Sequence, residues 1–178
     1  WRFAKPPIPC QNAATALTLL SKLALLPREQ QVRECLANLT VEGRFQQLSD
    51  TPRVFTDVAH NPESARYLAR KLSVYKDQGF KIHALVAMLA DKDKVAAMSA
   101  VADVVDEWSL ASLDCFRGDT VENLAKALAE TPSTAPSTHY PNVEAALDKI
   151  VQTVDANTLV IVFGSFITVA AAINYFKK

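Results

Sequence analysis

The sequence predicts an α/β fold: a doubly wound, mostly parallel sheet of about six strands flanked by helices. Two observations carry this. From Val54 onward, short β-rich runs alternate with helical patterns of about ten residues or more. That alternation implies parallel pairing with right-handed crossovers. Two of the runs, Ile82–Leu89 and Leu159–Phe163, are almost continuously apolar, as strands covered on both faces are.

Taken in order, Asn12 to Leu26 reads as a helix, with Pro6, Pro7 and Pro9 ahead of it and Pro27 stopping it. Arg28 to Leu39 reads as a second helix, with Val32, Cys35, Leu36 and Leu39 on one stripe. Thr40 to Pro52 is polar and irregular, punctuated by Gly43 and Pro52. A domain boundary is expected there, dividing residues 1–41 from 42–178. Val54–Val58 is a short strand. Pro62–Tyr75 is a helix, with Asn61 as N-cap and Pro62 in the first turn. After the Ile82–Leu89 strand, Lys94–Val105 is an Ala/Val-rich helix and Trp108–Leu113 a strand. Thr120–Ala129 has a capping-box pattern, led by Asp119 or Thr120 with Glu122 and Asn123 following. The Ser/Thr/Pro-rich loop Thr131–Pro141 has room for an edge strand at Thr138–Tyr140. Asn142–Val154 is a helix, Leu159–Phe163 a buried strand, and Phe166–Phe176 the last helix.

Composition narrows the function classes. The chain has 178 residues, 49% of them hydrophobic, with four glycines and nine prolines. This suits one domain, or one domain plus a fragment of another. Nineteen basic residues balance nineteen acidic ones, so no basic excess supports nonspecific nucleic-acid binding. No apolar stretch reaches the roughly 18 residues of a membrane span. The start, Trp1-Arg2-Phe3-Ala4-Lys5, lacks an initiator Met and a signal-peptide core, and is expected to be an internal start. The three cysteines, Cys10, Cys35 and Cys115, have no metal-ligand spacing. Cys35 and Cys115 sit among apolar neighbours and are expected to be buried free thiols, in keeping with a reducing, cytoplasmic location.

In doubly wound sheets ligands bind outside the carboxyl ends of the strands. Those ends carry the chemistry here. Asp57-Val58-Ala59-His60-Asn61-Pro62 places a carboxylate in an apolar strand, which is costly without partners. Its two oxygens suit the vicinal hydroxyls of a ribose, and the helix that follows favours anions at its N-terminus. On spacing alone, Asp57 and Asn61 read equally as turn and cap residues, and His60 as an exposed loop residue. Arg44, after Gly43, offers a planar fork suited to phosphate, or is simply a surface arginine. Leu89-Ala90-Asp91-Lys92-Asp93-Lys94 favours a solvated turn capped by Asp91 or Asp93, against a phosphate- or carboxylate-binding Lys92. Gly164-Ser165-Phe166 joins a tight turn to a helix cap whose hydroxyl and amides suit a carboxylate. There is no dinucleotide Gly-x-Gly-x-x-Gly, no P-loop Gly-Lys-Ser/Thr, no His/Cys metal cluster and no nucleophile elbow.

In their order and spacing, these motifs resemble those of the folylpolyglutamate synthase/dihydrofolate synthase family, a branch of the Mur-ligase superfamily. They are Gly43-Arg44-Phe45-Gln46, Asp57 to Pro62, Met88 to Asp93 and Gly164-Ser165-Phe166. The opening Pro9-Cys10-Gln11-Asn12-Ala13-Ala14-Thr15-Ala16-Leu17 looks like the helix that closes the family's central ATPase domain. The resemblance implies a Rossmann-like C-terminal ligase domain over residues 42–178, and the end of the ATPase domain over 1–41. It implies that Asn12 contacts adenine, Arg44 the nucleotide's phosphates and Asp57 the ribose, while His60 and Ser165 help hold glutamate. It implies an ATP-dependent ligase that adds L-glutamate to dihydropteroate, tetrahydrofolate or both through an acyl phosphate, with Mg2+ and usually a second cation. The implied partners are these small molecules alone, and the implied state is a cytoplasmic monomer. The P-loop, metal ligands, carbamylated lysine and most of the pterin pocket of the family find no match here, so no catalytic residue is assigned and the chain alone is expected to be inactive. Ile167 stands where the family often has an aromatic residue. Two alternatives stay open: a cell-wall amino-acid ligase of the Mur type, and a non-catalytic Rossmann-like binding module.

Overall fold

The computed structural model describes Pro6 and residues 8–177; Trp1–Lys5, Pro7 and Lys178 lie outside the described residues. The chain divides into two compact units between Arg44 and Phe45.

The N-terminal unit holds α1 (Cys10–Lys22) and α2 (Glu29–Ala37). Helix α1 stops short of the expected Leu26. The Leu23 amide donates to the Leu19 carbonyl at 3.0 Å, and Ala24 then takes the left-handed φ of 56°, which no right-handed helix continues. Only Ala13 of α1 and Val32 of α2 are buried. The apolar stripe expected on α2 is therefore buried at one position. Cys35 is exposed and Cys115 half-buried, which corrects the expectation of two buried thiols.

The second unit is built on a six-stranded sheet of order β1-β2-β6-β3-β4-β5. Its strands are β1 (Gln46–Asp50), β2 (Arg53–Asp57), β3 (Lys81–Val86), β4 (Glu107–Ala111), β5 (Ser137–Tyr140) and β6 (Thr158–Phe163). Strand β1 pairs antiparallel with β2, and every other pairing is parallel. The helices are α3 (Pro62–Asp77), α4 (Lys94–Ser99), α5 (Val121–Ala129), α6 (Val143–Thr153) and α7 (Phe166–Phe176).

Alternation along the strands sorts the core into two layers. Ile82, Ala84, Trp108, Leu110, Leu159 and Ile161 face Leu68, Leu72, Met98 and Leu124 of α3, α4 and α5. Val54, Leu85, Val160 and Val162 face Leu147 and Ile150 of α6 and Ala172 of α7. Completely buried aliphatic side chains of this kind contribute about 1.5–3 kcal/mol each.

Two elements differ from the expectation. Strand β1 lies inside the stretch expected to be irregular. It is a mostly polar, half-exposed edge strand with a register shift between Gln47 and Ser49, and its single apolar residue, Leu48, makes no alternating pattern. The helix expected over 94–105 ends at Ser99. Beyond it, Val101, Ala102 and Val104 donate to carbonyls three residues back, and these tighter turns bury Val101 and Val105.

One buried polar group lies in β3. His83 is nearly enclosed, with Nε2 at 2.8 Å from Ser109 Oγ and Nδ1 at 3.6 Å from the Glu107 carboxylate. Burial lowers its pKa, opposed by the Glu107 charge. The unfolded chain, with an ordinary imidazole near 6.5, therefore binds this proton more readily than the folded state. The contribution is intact above about 6.5 and is lost as pH falls through the lower folded value. The urea midpoint should fall between about pH 7.5 and 5.5, and His83→Gln should flatten that fall. An identical slope in the variant would contradict the assignment.

Candidate functional site

The topology fixes where a ligand fits. From β2 the chain leaves through α3, which packs on the β3 side of the sheet with α4. From β6 it leaves through α7, which packs against β1, β2 and β6 on the opposite face. Neighbouring parallel strands whose helices depart to opposite faces open a crevice at their carboxyl ends. Asp57 is paired in register with Phe163, and Phe163 with Val86. The ends of three strands thus form one row, with the residues after Asp57 and after Phe163 side by side at its edge.

At the end of β2, Asp57 is buried. Its Oδ1 accepts from the Ala59 amide at 2.8 Å, and its Oδ2 from the Phe45 amide at 2.9 Å. Phe45 opens this unit with a left-handed φ of 45°. Its ring stacks on Phe55 at 4.8 Å, with Lys71 Nζ 5.8 Å above it. The Asp57 carboxylate therefore pins the entry of the chain into the sheet. His60 follows, half-buried, its Nδ1 at 2.8 Å from the Val58 carbonyl and its amide donating to Ser64 Oγ at 3.3 Å. Asn61 caps α3 by accepting from the Ser64 amide at 2.9 Å, and Pro62 stands at the first helical position, both as the sequence predicts. An open groove of about 500 Å³ runs beside this turn, lined by Pro62, Arg66, Asp93 and Ser99 among others.

At the end of β6, Gly164 has a φ of 125°, and a Cβ there would lie 2.4 Å from the Ala87 carbonyl oxygen; only glycine fits. Ser165 is buried and caps α7, its Oγ accepting from the Thr168 amide at 3.0 Å. The Thr168 hydroxyl spends its one proton on the Ala87 carbonyl at 2.6 Å. The Ser165 hydroxyl, 2.7 Å from Thr168 Oγ1, must then donate to it. Its proton is committed inside the fold, so toward the crevice Ser165 brings its place at the helix N-terminus. The Phe166 ring is exposed and lies 6.4 Å from the His60 ring, centroid to centroid. This contact puts His60 beside the turn that begins α7.

The remaining sequence-predicted residues are placed as follows. Asn12, in α1, and Arg44 are exposed members of the N-terminal unit. Asp93 caps α4, its Oδ1 accepting from the Ala96 amide at 3.0 Å. Lys92 pairs with exposed Asp91 at 3.3 Å. Asp119 does not cap α5; Thr120 does. Asp119 instead forms a buried link that the sequence did not reveal. It meets Lys94 Nζ at 2.6 Å and accepts from Asn123 Nδ2 at 2.7 Å and the Thr120 amide at 2.9 Å. Burial pushes the Asp119 pKa up, but these donors outweigh it and hold the group below its ordinary value. The link ties the loop after β3 to the loop after β4, helped by backbone bonds from Ala90 to Arg117 and from Asp119 to Met88. Among the described residues, no three His, Cys, Asp or Glu side chains gather as a metal set.

Residues 43–166 match the family model "Mur ligase, glutamate ligase domain". A dihydrofolate synthase/folylpolyglutamate synthase of Escherichia coli K12 is 38% identical over 165 residues, which are 93% of this chain and 37% of the relative. The chain thus spans well under half the length of that protein. A crystal structure of the bifunctional enzyme from Yersinia pestis, complexed with AMPPNP and a Mn ion, superposes with a TM-score of 0.85 at 35% identity. It covers 99% of this chain and 41% of its own. A structure of such a bifunctional synthase with Mn, AMPPNP and L-glutamate bound gives a TM-score of 0.87 at 36% identity, over 99% of this chain and 41% of its own.

The buried geometry of the two strand ends makes a stability prediction. Asp57→Ala strips two backbone amides of a charged acceptor and should lower the unfolding free energy of the chain by about 3 kcal/mol. Ser165→Ala should cost about 1 kcal/mol through the lost cap. Denaturation of both variants by urea checks this, and an unchanged midpoint for Asp57→Ala would contradict the pinning role.

Proposed function

Because the chain belongs to the Mur ligase family through its glutamate ligase domain, we propose that it is the C-terminal portion of an ATP-dependent ligase joining L-glutamate to dihydropteroate, tetrahydrofolate or both. The acceptor's carboxylate takes the γ-phosphoryl group of ATP, and the amine of glutamate displaces phosphate from the acyl phosphate. Residues 1–41 would close an ATPase domain and 42–178 form the ligase domain. The poor burial of α1 and α2, with Leu19, Leu23 and Leu25 exposed, fits helices that belong to a larger core. Magnesium would accompany the nucleotide, on ligands outside these residues. The protein would work as a cytoplasmic monomer on small molecules.

The observation that carries the proposal is the crevice between the ends of β2 and β6. There the N-termini of α3 and α7 stand side by side, and two such termini favour a doubly anionic ligand such as glutamate. Asp57 borders the same crevice and would receive a ribose hydroxyl on oxygens already held by amides. By the same resemblance, Asn12 and Arg44 would also contact the nucleotide. Solved relatives named with AMPPNP, Mn and L-glutamate support this set of ligands.

Two outcomes are expected. The full-length protein carrying this sequence should release ADP only when ATP, glutamate and a pteroate or folate acceptor are all present, and the 178-residue chain alone should show no turnover. In the full-length protein, Arg44→Ala should raise the KM for ATP roughly ten-fold or more, the effect of losing a charge-assisted contact of about 1.5–3 kcal/mol. It should leave stability unchanged, since Arg44 is exposed. ADP release that ignores glutamate would overturn the proposal, as would an unaltered KM for the nucleotide contact.

A further inference from the structure

The crevice holds one group whose chemistry goes beyond holding a ligand. The oxygen of Val58 can only accept, so the Nδ1 of His60, 2.8 Å away, carries the proton that joins them. A neutral imidazole has one N–H. Its tautomer is therefore set: Nδ1 is protonated and Nε2 bears the lone pair. Among the described residues Nε2 makes no hydrogen bond, and the ring is steadied from the side by Phe166. Asp57 and Ser165, at the same edge, are committed. Both Asp57 oxygens accept backbone amides, and the Ser165 proton goes to Thr168.

An Nε2 lone pair is a poor partner for a carboxylate and a good one for an ammonium group. The amine of an amino acid arrives protonated and has no lone pair with which to attack. Resting on the ligase function proposed above, we infer that His60 is a catalytic residue: its Nε2 accepts the proton that the incoming amine must lose before it attacks the acyl phosphate. The ammonium gives one proton to Nε2. The freed lone pair forms the C–N bond, and the bond from the carbonyl carbon to the phosphate oxygen breaks. The leaving phosphate takes up the second proton from nitrogen, and His60 later returns its own to solvent. The charged groups on the elements around the ring are Asp57 at the end of β2 and Glu63 and Arg66 in the first turns of α3; α7 has no charged residue.

The test compares two nucleophiles in the full-length ligase. With glutamate, His60→Gln should lower kcat about 100-fold or more, the usual scale of a lost general base. With hydroxylamine, which is largely unprotonated at neutral pH, the variant should still form hydroxamate within a few-fold of wild type. Nitrogen-15 NMR of His60 in the chain should show the Nδ1–H tautomer. A variant that reaches wild-type kcat at high glutamate would overturn the inference and leave His60 as a binding residue, and so would an Nε2–H tautomer. Failure of the wild-type ligase to form hydroxamate with ATP would instead overturn the ligase function, and the inference with it.

Discussion

Strand β6 runs between β2 and β3 with parallel hydrogen bonds on both sides, and all six of its residues are buried. This pairing is the constraint on which the crevice depends. It aligns the ends of β2, β6 and β3 in one row, so the turns that follow must emerge together. It leaves so little space above Ala87 that the next residue has to be glycine. It also brings α7 close enough for Thr168 to bond the Ala87 carbonyl, which draws the Ser165 hydroxyl inward. Packing chosen for the core thus decides which atoms at the edge stay available to a ligand.

Asp57, Ser165 and His60 divide the work at this edge. Asp57 spends its oxygens on the backbone, and one of those bonds reaches Phe45, the first residue of the unit. A ribose contact at Asp57 would therefore act on the same carboxylate that anchors the chain's entry. Ser165 is built into its helix. His60 alone keeps a ring nitrogen open, and the Val58 carbonyl determines which one. Further along the edge, the Lys94–Asp119 link fixes the loops after β3 and β4 to each other. Its carboxylate is buried and its lysine half-buried.

Much of this is legible in the sequence where a residue's neighbours are close along the chain. The caps Asn61, Asp93, Thr120 and Ser165 each bond an amide three residues on, and a short pattern suffices to find them. The apolar runs of β3 and β6 are legible because burial on both faces leaves no polar position. Strand β1 is not, since an edge strand with Leu48 alone among Gln46, Gln47, Ser49 and Asp50 looks like a loop until β2 pairs with it. Asp57 stands out as a carboxylate in an apolar strand, yet its partner Phe45 is 12 residues away and donates through its backbone, which no side-chain pattern records. Lys94 with Asp119, and His83 with Ser109, are matched across strands and helices. Cys35 misled because it is exposed although Val32 is buried and Leu36 half-buried, in a unit that buries so little of α2.

On the function proposed above, the crevice between β2 and β6 receives glutamate with its amine against His60. A crystal structure of the full-length protein with a non-hydrolysable ATP analogue and L-glutamate tests this most directly. The glutamate nitrogen should lie about 3 Å from His60 Nε2, its carboxylates at the N-termini of α3 and α7, and a ribose hydroxyl on Asp57. Glutamate bound away from this edge, or turned so that a carboxylate meets Nε2, would contradict it.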